Sequence, residues 1–193
     1  MKSAQNLIVL LLALMLAAGA PAVPAADAPS GPHIIMIIRH GEKPDDSESG
    51  KDPDLSKKGF ERADALAKVI PARFPTPDFL FATHKSKNSN RPVETITPLS
   101  AALREPIDAT FKVDEVDKIS KEILTDPKYA GKTILIAWHH EEIPELAKAL
   151  GVKNVPDKWD AAVFDRVWVV TYNNGVATWR DLPQKALAGD SEK

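Results

Sequence analysis

The sequence of 193 residues contains no cysteine. A chain without cysteine forms no disulfide, has no thiol nucleophile and carries no lipid anchor of the kind that is attached through cysteine. The fold must therefore hold without a covalent cross-link. Any chemistry must come from His, Asp, Glu, Ser or Thr side chains, or from a metal.

The sequence also lacks a strong excess of charge of either sign. It has 25 Lys and Arg against 27 Asp and Glu, which gives a formal net charge of −2 at pH 7. Such a chain has no electrostatic reason to bind nucleic acid or an anionic lipid surface. We therefore expect no nucleic-acid partner, and a ligand must be recognised at a specific site rather than by bulk charge.

Long apolar runs are absent except near the N-terminus. There Lys2 precedes an apolar stretch over residues 7–18, and residues 19–26 are rich in alanine and proline. This pattern predicts a secretory signal peptide over residues 1–26. The stretch is shorter than the roughly 20 residues of a membrane span, so an uncleaved anchor is the less favoured alternative. Cleavage would leave residues 27–193 as one domain in the periplasm or outside the cell, without stable membrane insertion.

Strand-like and helix-like patterns alternate along this domain and predict an α/β fold. We expect three layers, with a mainly parallel central sheet and helices on both faces. Asn174-Gly175 between two alternating runs adds an antiparallel C-terminal hairpin. Polar loops are expected over residues 42–54 and 83–90, and an irregular surface segment over residues 154–164. The predicted strands cover residues 34–38, 79–82, 111–113, 132–138, 166–172 and 176–179, and the predicted helices cover residues 55–70, 91–103, 116–124 and 144–150.

Four residues define details of these helices. Ser56 is a suitable cap for the first helix, and Pro71 is expected to end it. Phe60 is expected on its apolar face. Pro98 is expected to kink or shorten the second helix, because proline lacks the N–H that the helix needs.

The most informative segment is the apolar run over residues 34–38, which stops at Arg39-His40-Gly41. Large aliphatic residues predict a strand buried on both faces, with the polar residues at its C-terminal end. In open α/β sheets, ligands bind at this end of the strands. An arginine fork of donors beside an imidazole suits an anion. The segment taken alone is equally consistent with a strand that simply ends in polar residues.

Two further segments follow it in a recognisable order. Arg91 opens a predicted helix, and the pair His139-His140 follows a predicted strand. Together with Arg39-His40-Gly41, they make residues 34–151 resemble the histidine phosphatase superfamily, the phosphoglycerate-mutase-like proteins. Residues 179–183 resemble the secreted bacterial members.

The resemblance implies a role for each of these residues. His40 would be the nucleophile that is transiently phosphorylated, with one ring nitrogen unprotonated and the other held by a backbone carbonyl. Arg39 and Arg91 would bind the phosphoryl oxygens. The second family histidine corresponds to either His139 or His140, and His140 is slightly favoured. No metal and no cofactor are implied, and zinc at this pair is disfavoured because adjacent side chains on a strand end point in different directions.

The acid that protonates the leaving group has no motif of its own. Glu42 and Glu94 are candidates for this role and for contact with the substrate, while Lys43 is expected to attract an anionic substrate at the mouth of the site. The family places its acid between the second arginine and the last histidine, which implies Asp114 or Glu115. Two further carboxylates that stay open as candidates are Glu141 and Glu142.

The leading hypothesis is therefore an exported, metal-independent phosphatase that acts through a phosphohistidine. Its substrate would be a small-molecule or envelope-linked phosphate ester. The alternative is a non-catalytic phosphate-binding or regulatory domain of the same fold, which stays open because the acid is undefined. No pattern in the sequence predicts an oligomeric state.

Overall fold

The computed structural model describes residues 31–44 and 53–192. The predicted signal peptide lies outside the described residues, as does the part of the polar loop between residues 45 and 52. The strands are β1 (Ile34–Arg39), β2 (Phe79–Ala82), β3 (Ile107–Asp108), β4 (Thr133–Trp138), β5 (Arg166–Asn173) and β6 (Val176–Pro183). The helices are α1 (Lys57–Arg73), α2 (Arg91–Leu103), α3 (Val116–Thr125) and α4 (Ile143–Ala149), with a 3-10 helix at Pro127–Tyr129.

The six strands form one sheet in the order β3-β2-β4-β1-β5-β6. Strands β3, β2, β4 and β1 run parallel, while β5 is antiparallel to β1 and β6 is antiparallel to β5. The predicted α/β class, with a mainly parallel sheet and an antiparallel hairpin, is confirmed. The hairpin turns at Asn174 and Gly175, whose φ values of 49° and 76° are those that a two-residue turn requires.

The central strands bury both faces, as their continuous apolar runs predict. Along β1, Ile35 and Ile37 enter one hydrophobic cluster, while Met36 and Ile38 enter another on the opposite face. The first cluster includes side chains of α3 and α4, and the second includes side chains of α1 and α2. The sheet therefore lies between two helical layers, because side chains alternate between the faces of a strand.

The polar ends of two strands meet at one edge of this sheet. In the β1–β4 register, Arg39 pairs with Trp138. The backbone N–H of His40 donates to the Trp138 carbonyl at 3.1 Å. The residues that follow β1 and those that follow β4 are therefore neighbours, although they are far apart in the sequence.

Pro71 and Pro98 lie inside helices that they are expected to end, kink or shorten. Helix α1 begins after Ser56, whose hydroxyl accepts from Gly59 N, but it continues past Pro71 to Arg73. Helix α2 continues through Pro98. The expected stop at Pro71 and the expected shortening at Pro98 were therefore wrong. A proline inside a helix loses one backbone hydrogen bond, and the packing of the apolar faces of α1 and α2 against the core compensates for that loss.

Two other details differ from the expectations. The short third strand is at Ile107–Asp108, where it pairs with β2, and residues 111–113 form part of a loop instead. Phe60 is 46% exposed. It lies one residue beyond the buried Gly59, which turns its side chain about 100° away from the apolar face. None of the described helices is both long enough and apolar enough to cross a membrane.

Helix α1 approaches the loop after β1 closely, and glycine occupies both sides of the contact. A Cβ atom on Gly59 would lie 2.3 Å from the carbonyl oxygen of Glu42. A Cβ atom on Gly41 would lie 3.0 Å from the carbonyl oxygen of Gly59. A larger residue at either position would push the helix away from the loop that follows His40.

Candidate active site

Arg39 is the last residue of β1, and its residue surface is only 2% exposed. Its Nη1 donates to the carbonyl oxygens of Ala161, at 2.5 Å, and Val163, at 3.2 Å. The guanidinium carbon lies 3.7 Å from the centroid of the Phe164 ring. Burial lowers the pKa of Arg39 to about 10, so the group is still a cation at neutral pH. The irregular segment over residues 154–164 therefore orients this cation.

His40 follows directly, and it is 3% exposed. Its Nδ1 lies 2.7 Å from the carbonyl oxygen of Gly41. Since a carbonyl oxygen can only accept, Nδ1 carries the proton in this contact. Burial lowers the pKa of His40 to about 2, opposed by the Gly41 contact and reinforced by the positive charge of Arg39 and Arg91. The ring is therefore neutral, and its Nε2 keeps a lone pair.

Thr95 connects this loop to the start of α2. Its Oγ1 accepts from the backbone N–H of Gly41 at 2.8 Å and donates to the carbonyl oxygen of Arg91 at 2.7 Å. The side chain is fully buried. A single hydroxyl therefore ties the loop after His40 to the first turn of the helix that carries Arg91.

His139 and His140 follow β4 but lie in different surroundings. The His139 ring meets the His40 ring edge-on, with the centroids 5.2 Å apart. Burial and the charge of Arg91 lower the pKa of His139 to about 4. His140 has its Nδ1 2.8 Å from Oε2 of Glu141, without the geometry of a hydrogen bond. Burial and the charge of Arg39 lower the pKa of His140.

A cavity of about 410 Å³ opens beside Arg91 and His139. Its volume falls within the range of small-molecule sites, about 300–1,000 Å³. His139 belongs to the lining of this cavity, and His140 does not. The lining residues are Thr83, His84, Ser86, Asn88, Ser89, Arg91, Lys112, Val113, Asp114 and His139.

The structure thus brings together Arg39, His40, Arg91 and His139. The pKa of Arg39 is lowered by burial and, further, by the positive charge of Arg91. The positive charge of Arg91 also lowers the pKa of both His40 and His139. Two cations and two imidazoles therefore lie close enough to influence one another electrostatically, and of the four only Arg91 and His139 line the cavity. Such a concentration of positive charge suits a doubly charged anion.

The other predicted residues have different surroundings. Both carboxylate oxygens of Glu42 are bonded to Arg62, by Nε at 3.0 Å and Nη2 at 2.8 Å. Glu94 accepts from the backbone N–H of Leu55 at 2.9 Å and does not line the cavity. Lys43 is exposed, and its positive charge contributes to the lowered pKa of His140.

Of the two carboxylates that the family pattern implied as the acid, only Asp114 lines the cavity. Glu115 is engaged elsewhere, with one oxygen 2.6 Å from Lys118 Nζ and the other accepting from Lys112 N at 2.9 Å. Of Glu141 and Glu142, neither lines the cavity. Within the described part of the chain, no group of three or more His, Asp or Glu side chains is placed to hold a metal ion.

Sequence reasoning missed Arg62, Thr95 and Phe164. Arg62 carried a usable signal, because it falls on the same face of α1 as Ala63, Leu66 and Ile70, where a charged side chain needs a buried partner. Thr95 and Phe164 carried none, since their contacts depend on how distant segments pack.

No protein-family model matches the chain, and no curated protein matches its sequence. Solved structures do resemble it. A phosphoserine phosphatase variant from Entamoeba histolytica, in complex with phosphoserine, is 13% identical at a TM-score of 0.57, over 80% of this chain and 98% of that one. The alpha-ribazole phosphatase from Shigella flexneri is 16% identical at a TM-score of 0.57, over 80% and 98%. The protein histidine phosphatase SixA, in complex with tungstate, is 14% identical at a TM-score of 0.56, over 78% and 97%.

These three proteins are all described as phosphatases, and at such identities the likeness establishes the fold. The chain therefore has the fold of histidine phosphatases, which is the fold that the sequence resemblance implied.

The first prediction concerns Thr95. Thr95→Val leaves the buried N–H of Gly41 without an acceptor, so we expect the free energy of unfolding to fall by about 1–3 kcal/mol. Thr97→Val is the matched control, because Thr97 Oγ1 makes the same type of bond, to the Val93 carbonyl oxygen, on the exposed side of the same helix. Denaturant unfolding should give a change within about 0.5 kcal/mol for the control. Equal effects of the two variants would contradict this role for Thr95.

The second prediction concerns the protonation of His40. With its pKa lowered to about 2, the ring should stay neutral, with the proton on Nδ1, from pH 5 to pH 8. Nitrogen-15 NMR of the imidazole rings measures this directly. The denatured chain is the reference, since its histidines should titrate near 6.5. A titration midpoint for His40 between pH 6 and pH 7 in the folded protein would show that the prediction is wrong.

Proposed function

We propose that the chain is a metal-independent phosphatase that hydrolyses phosphomonoesters through a phosphohistidine at His40. One observation carries the proposal: a buried, neutral imidazole has its Nδ1 held by the Gly41 carbonyl at 2.7 Å, which leaves Nε2 as a nucleophile. The likeness in fold to solved phosphatases supports the same reaction.

Arg39 and Arg91 would bind the phosphoryl oxygens. Phosphomonoester hydrolysis is among the slowest uncatalysed reactions, with enzymatic accelerations of up to about 10²¹-fold, so charge stabilisation at phosphorus is essential. Arg39 is held on one side by the Ala161 and Val163 carbonyls, which fixes its orientation before the substrate binds. Preorganised donors of this kind need no rearrangement when charge develops.

His139 is the better candidate for the second phosphate-binding histidine. Its ring lies against His40 and it lines the cavity with Arg91, whereas His140 lies on the side of Glu141. A phosphate dianion beside His139 would favour the imidazolium form, because an opposite charge raises the pKa of histidine. His139 would then donate to a phosphoryl oxygen.

In the first chemical step, Nε2 of His40 forms a bond to phosphorus, and the bond from phosphorus to the ester oxygen breaks. Asp114 gives a proton to the leaving oxygen, which departs as the alcohol. In the second step a water oxygen bonds to phosphorus and the bond to Nε2 breaks. The proton from water returns to Asp114, and inorganic phosphate leaves a neutral His40.

A phosphate-binding or regulatory domain is the second candidate function. One observation favours it, since Asp114 is exposed at the cavity and its position is not fixed by burial. Such a domain would keep the anion site formed by Arg39, Arg91 and His139 and would lack effective proton transfer.

We also propose that the protein acts in the periplasm or outside the cell, on a small-molecule or envelope-linked phosphate ester. The signal-peptide pattern over residues 1–26 supports export. The absence of cysteine is compatible with an oxidising compartment.

The third prediction tests catalysis. The protein should hydrolyse an aryl phosphate and sugar phosphates in the presence of a chelator. His40→Ala should lower kcat/KM by at least about 10³-fold. His139→Ala should cost about 10²- to 10³-fold, as the loss of a donor to developing charge does, and His140→Ala should cost much less. Asp114→Asn should impair alkyl phosphates more than aryl phosphates, because an aryl oxide leaves without a proton.

Three outcomes would contradict these expectations. Undiminished turnover by His40→Ala would rule out the phosphohistidine. A protein that binds vanadate and turns over none of these esters would be the phosphate-binding domain. A larger loss in His140→Ala than in His139→Ala would assign the phosphate contact to His140.

The fourth prediction concerns export. When the full chain is expressed in a Gram-negative host, the mature protein should be recovered in the periplasm or the medium, with an N-terminus near residue 27. N-terminal sequencing of the fractionated protein measures both. Recovery of an uncleaved chain in the membrane fraction would favour the anchor instead.

A further inference from the structure

We propose that Arg62 and Asp190 are positioning residues of this site, and that the segment after β6 holds the nucleophile in its reactive form through them. This inference rests on the proposed function. It concerns a chain of contacts from Asp190 to Arg62, from Arg62 to Glu42, and from Glu42 to the peptide whose carbonyl oxygen fixes the His40 tautomer.

Arg62 is 2% exposed, and every N–H group of its guanidinium donates a hydrogen bond. Its Nε and Nη2 donate to Glu42, as described above. On its other side, Nη2 donates to Oδ1 of Asp190 at 2.9 Å and Nη1 donates to Oδ2 at 3.0 Å. Nη1 also donates to Oε1 of Gln184 at 2.9 Å. Five N–H groups thus meet five acceptor contacts, which is the full capacity of an arginine.

The segment after β6 is itself held in place. Gln184 is fully buried, with its backbone N–H bonded to the Asp165 carbonyl oxygen at 2.7 Å. Oδ2 of Asp190 accepts from the backbone N–H groups of Ala186, at 2.8 Å, and Leu187, at 3.1 Å. Asp190 therefore lies in a closed turn, and the hydrogen bonds to Arg62 keep its pKa below the usual range despite burial.

The other end of the chain of contacts reaches His40. Nδ1 of His40 bonds to the Gly41 carbonyl, which belongs to the peptide between Gly41 and Glu42. A glycine peptide rotates readily unless its neighbours are held. Here Thr95 holds Gly41 N, and Ser56 N donates to the Glu42 carbonyl oxygen at 2.9 Å. The two bonds from Arg62 hold the Glu42 side chain, which completes the restraint on this peptide.

Arg62 carries one positive charge between the two carboxylates of Glu42 and Asp190, and this arrangement decides which of the three residues can be substituted in a test. Glu42 has its pKa lowered, against the effect of burial, by Arg62 and then by Lys58. Removing Arg62 would leave two buried carboxylates with only the exposed Lys58, 3.3 Å from Glu42, as a nearby cation, which would endanger folding. Neutralising Asp190 instead leaves Arg62 and Glu42 as an ion pair. Asp190→Asn is therefore the variant that loosens the network with the least threat to the fold.

The test compares Asp190→Asn with Asp165→Asn in the full-length chain. Oδ2 of Asp165 accepts from Ser191 N at 2.5 Å, so it anchors the same segment, and among the described residues it makes no hydrogen bond or ion pair with Arg62 or Glu42. A displacement of catalytic groups can cost about 10²-fold in rate. We expect Asp190→Asn to lower kcat by about 10- to 100-fold with KM changed less than about threefold, and Asp165→Asn to leave kcat nearly unchanged.

A second readout needs no turnover. In Asp190→Asn, nitrogen-15 NMR should show a measurable fraction of the neutral His40 ring with its proton moved from Nδ1 to Nε2, while Asp165→Asn keeps the wild-type signal. Asp190→Glu, which restores a carboxylate, should recover part of the Nδ1-protonated signal and of kcat.

The outcomes separate this inference from the proposed function. An unchanged His40 signal and an unchanged kcat in Asp190→Asn would overturn the positioning role, even with an active wild-type enzyme. Equal losses of kcat in Asp190→Asn and Asp165→Asn would also overturn it, since they would indicate a general effect of the segment. A wild-type protein without turnover would defeat the phosphatase proposal, while the NMR comparison would still decide the positioning role.

Discussion

The pairing of β1 with β4 is the interaction on which the rest of the site depends. Arg39 lies opposite Trp138, and the His40 N–H continues the ladder to the Trp138 carbonyl. Because the strands are parallel and in this register, His40 and His139 leave the sheet at the same edge. A shift of one residue would turn each side chain to the other face of its strand and separate the two rings.

The site combines a buried cation with a neutral imidazole, and each is held by backbone carbonyl oxygens. Carbonyl oxygens of residues 161 and 163 accept from Arg39, and the Gly41 carbonyl accepts from His40. The nearest carboxylate in the sequence, Glu42, has its charge matched by Arg62. The network around Arg62 therefore also offsets a negative charge that would oppose the anion binding proposed for this site.

The sequence predicts most of the fold and part of the site, for identifiable reasons. Apolar runs define β1, β2 and β4 because their residues are buried on both faces, and Asn174-Gly175 defines the hairpin because few other residues adopt positive φ. The sequence favours His140 over His139 only slightly, since two adjacent side chains at a strand end differ only in direction. Arg62 could be suspected from its place on an apolar helix face, but its partner Asp190 comes from 128 positions further along the chain, and no local pattern predicts such a contact.

The central position of β1 has a consequence for how the polypeptide acquires its structure. This strand is made before every other strand of the sheet, yet its neighbours are β4 and β5, with Ile34 opposite Thr133 and Thr171. During synthesis, a strongly apolar segment with two open edges must wait for about 140 further residues before both are covered. Nascent chains with such an unpaired segment are prone to self-association. The order of synthesis therefore leaves the incomplete chain exposed to self-association, and the sheet is complete only when the C-terminal hairpin has been made.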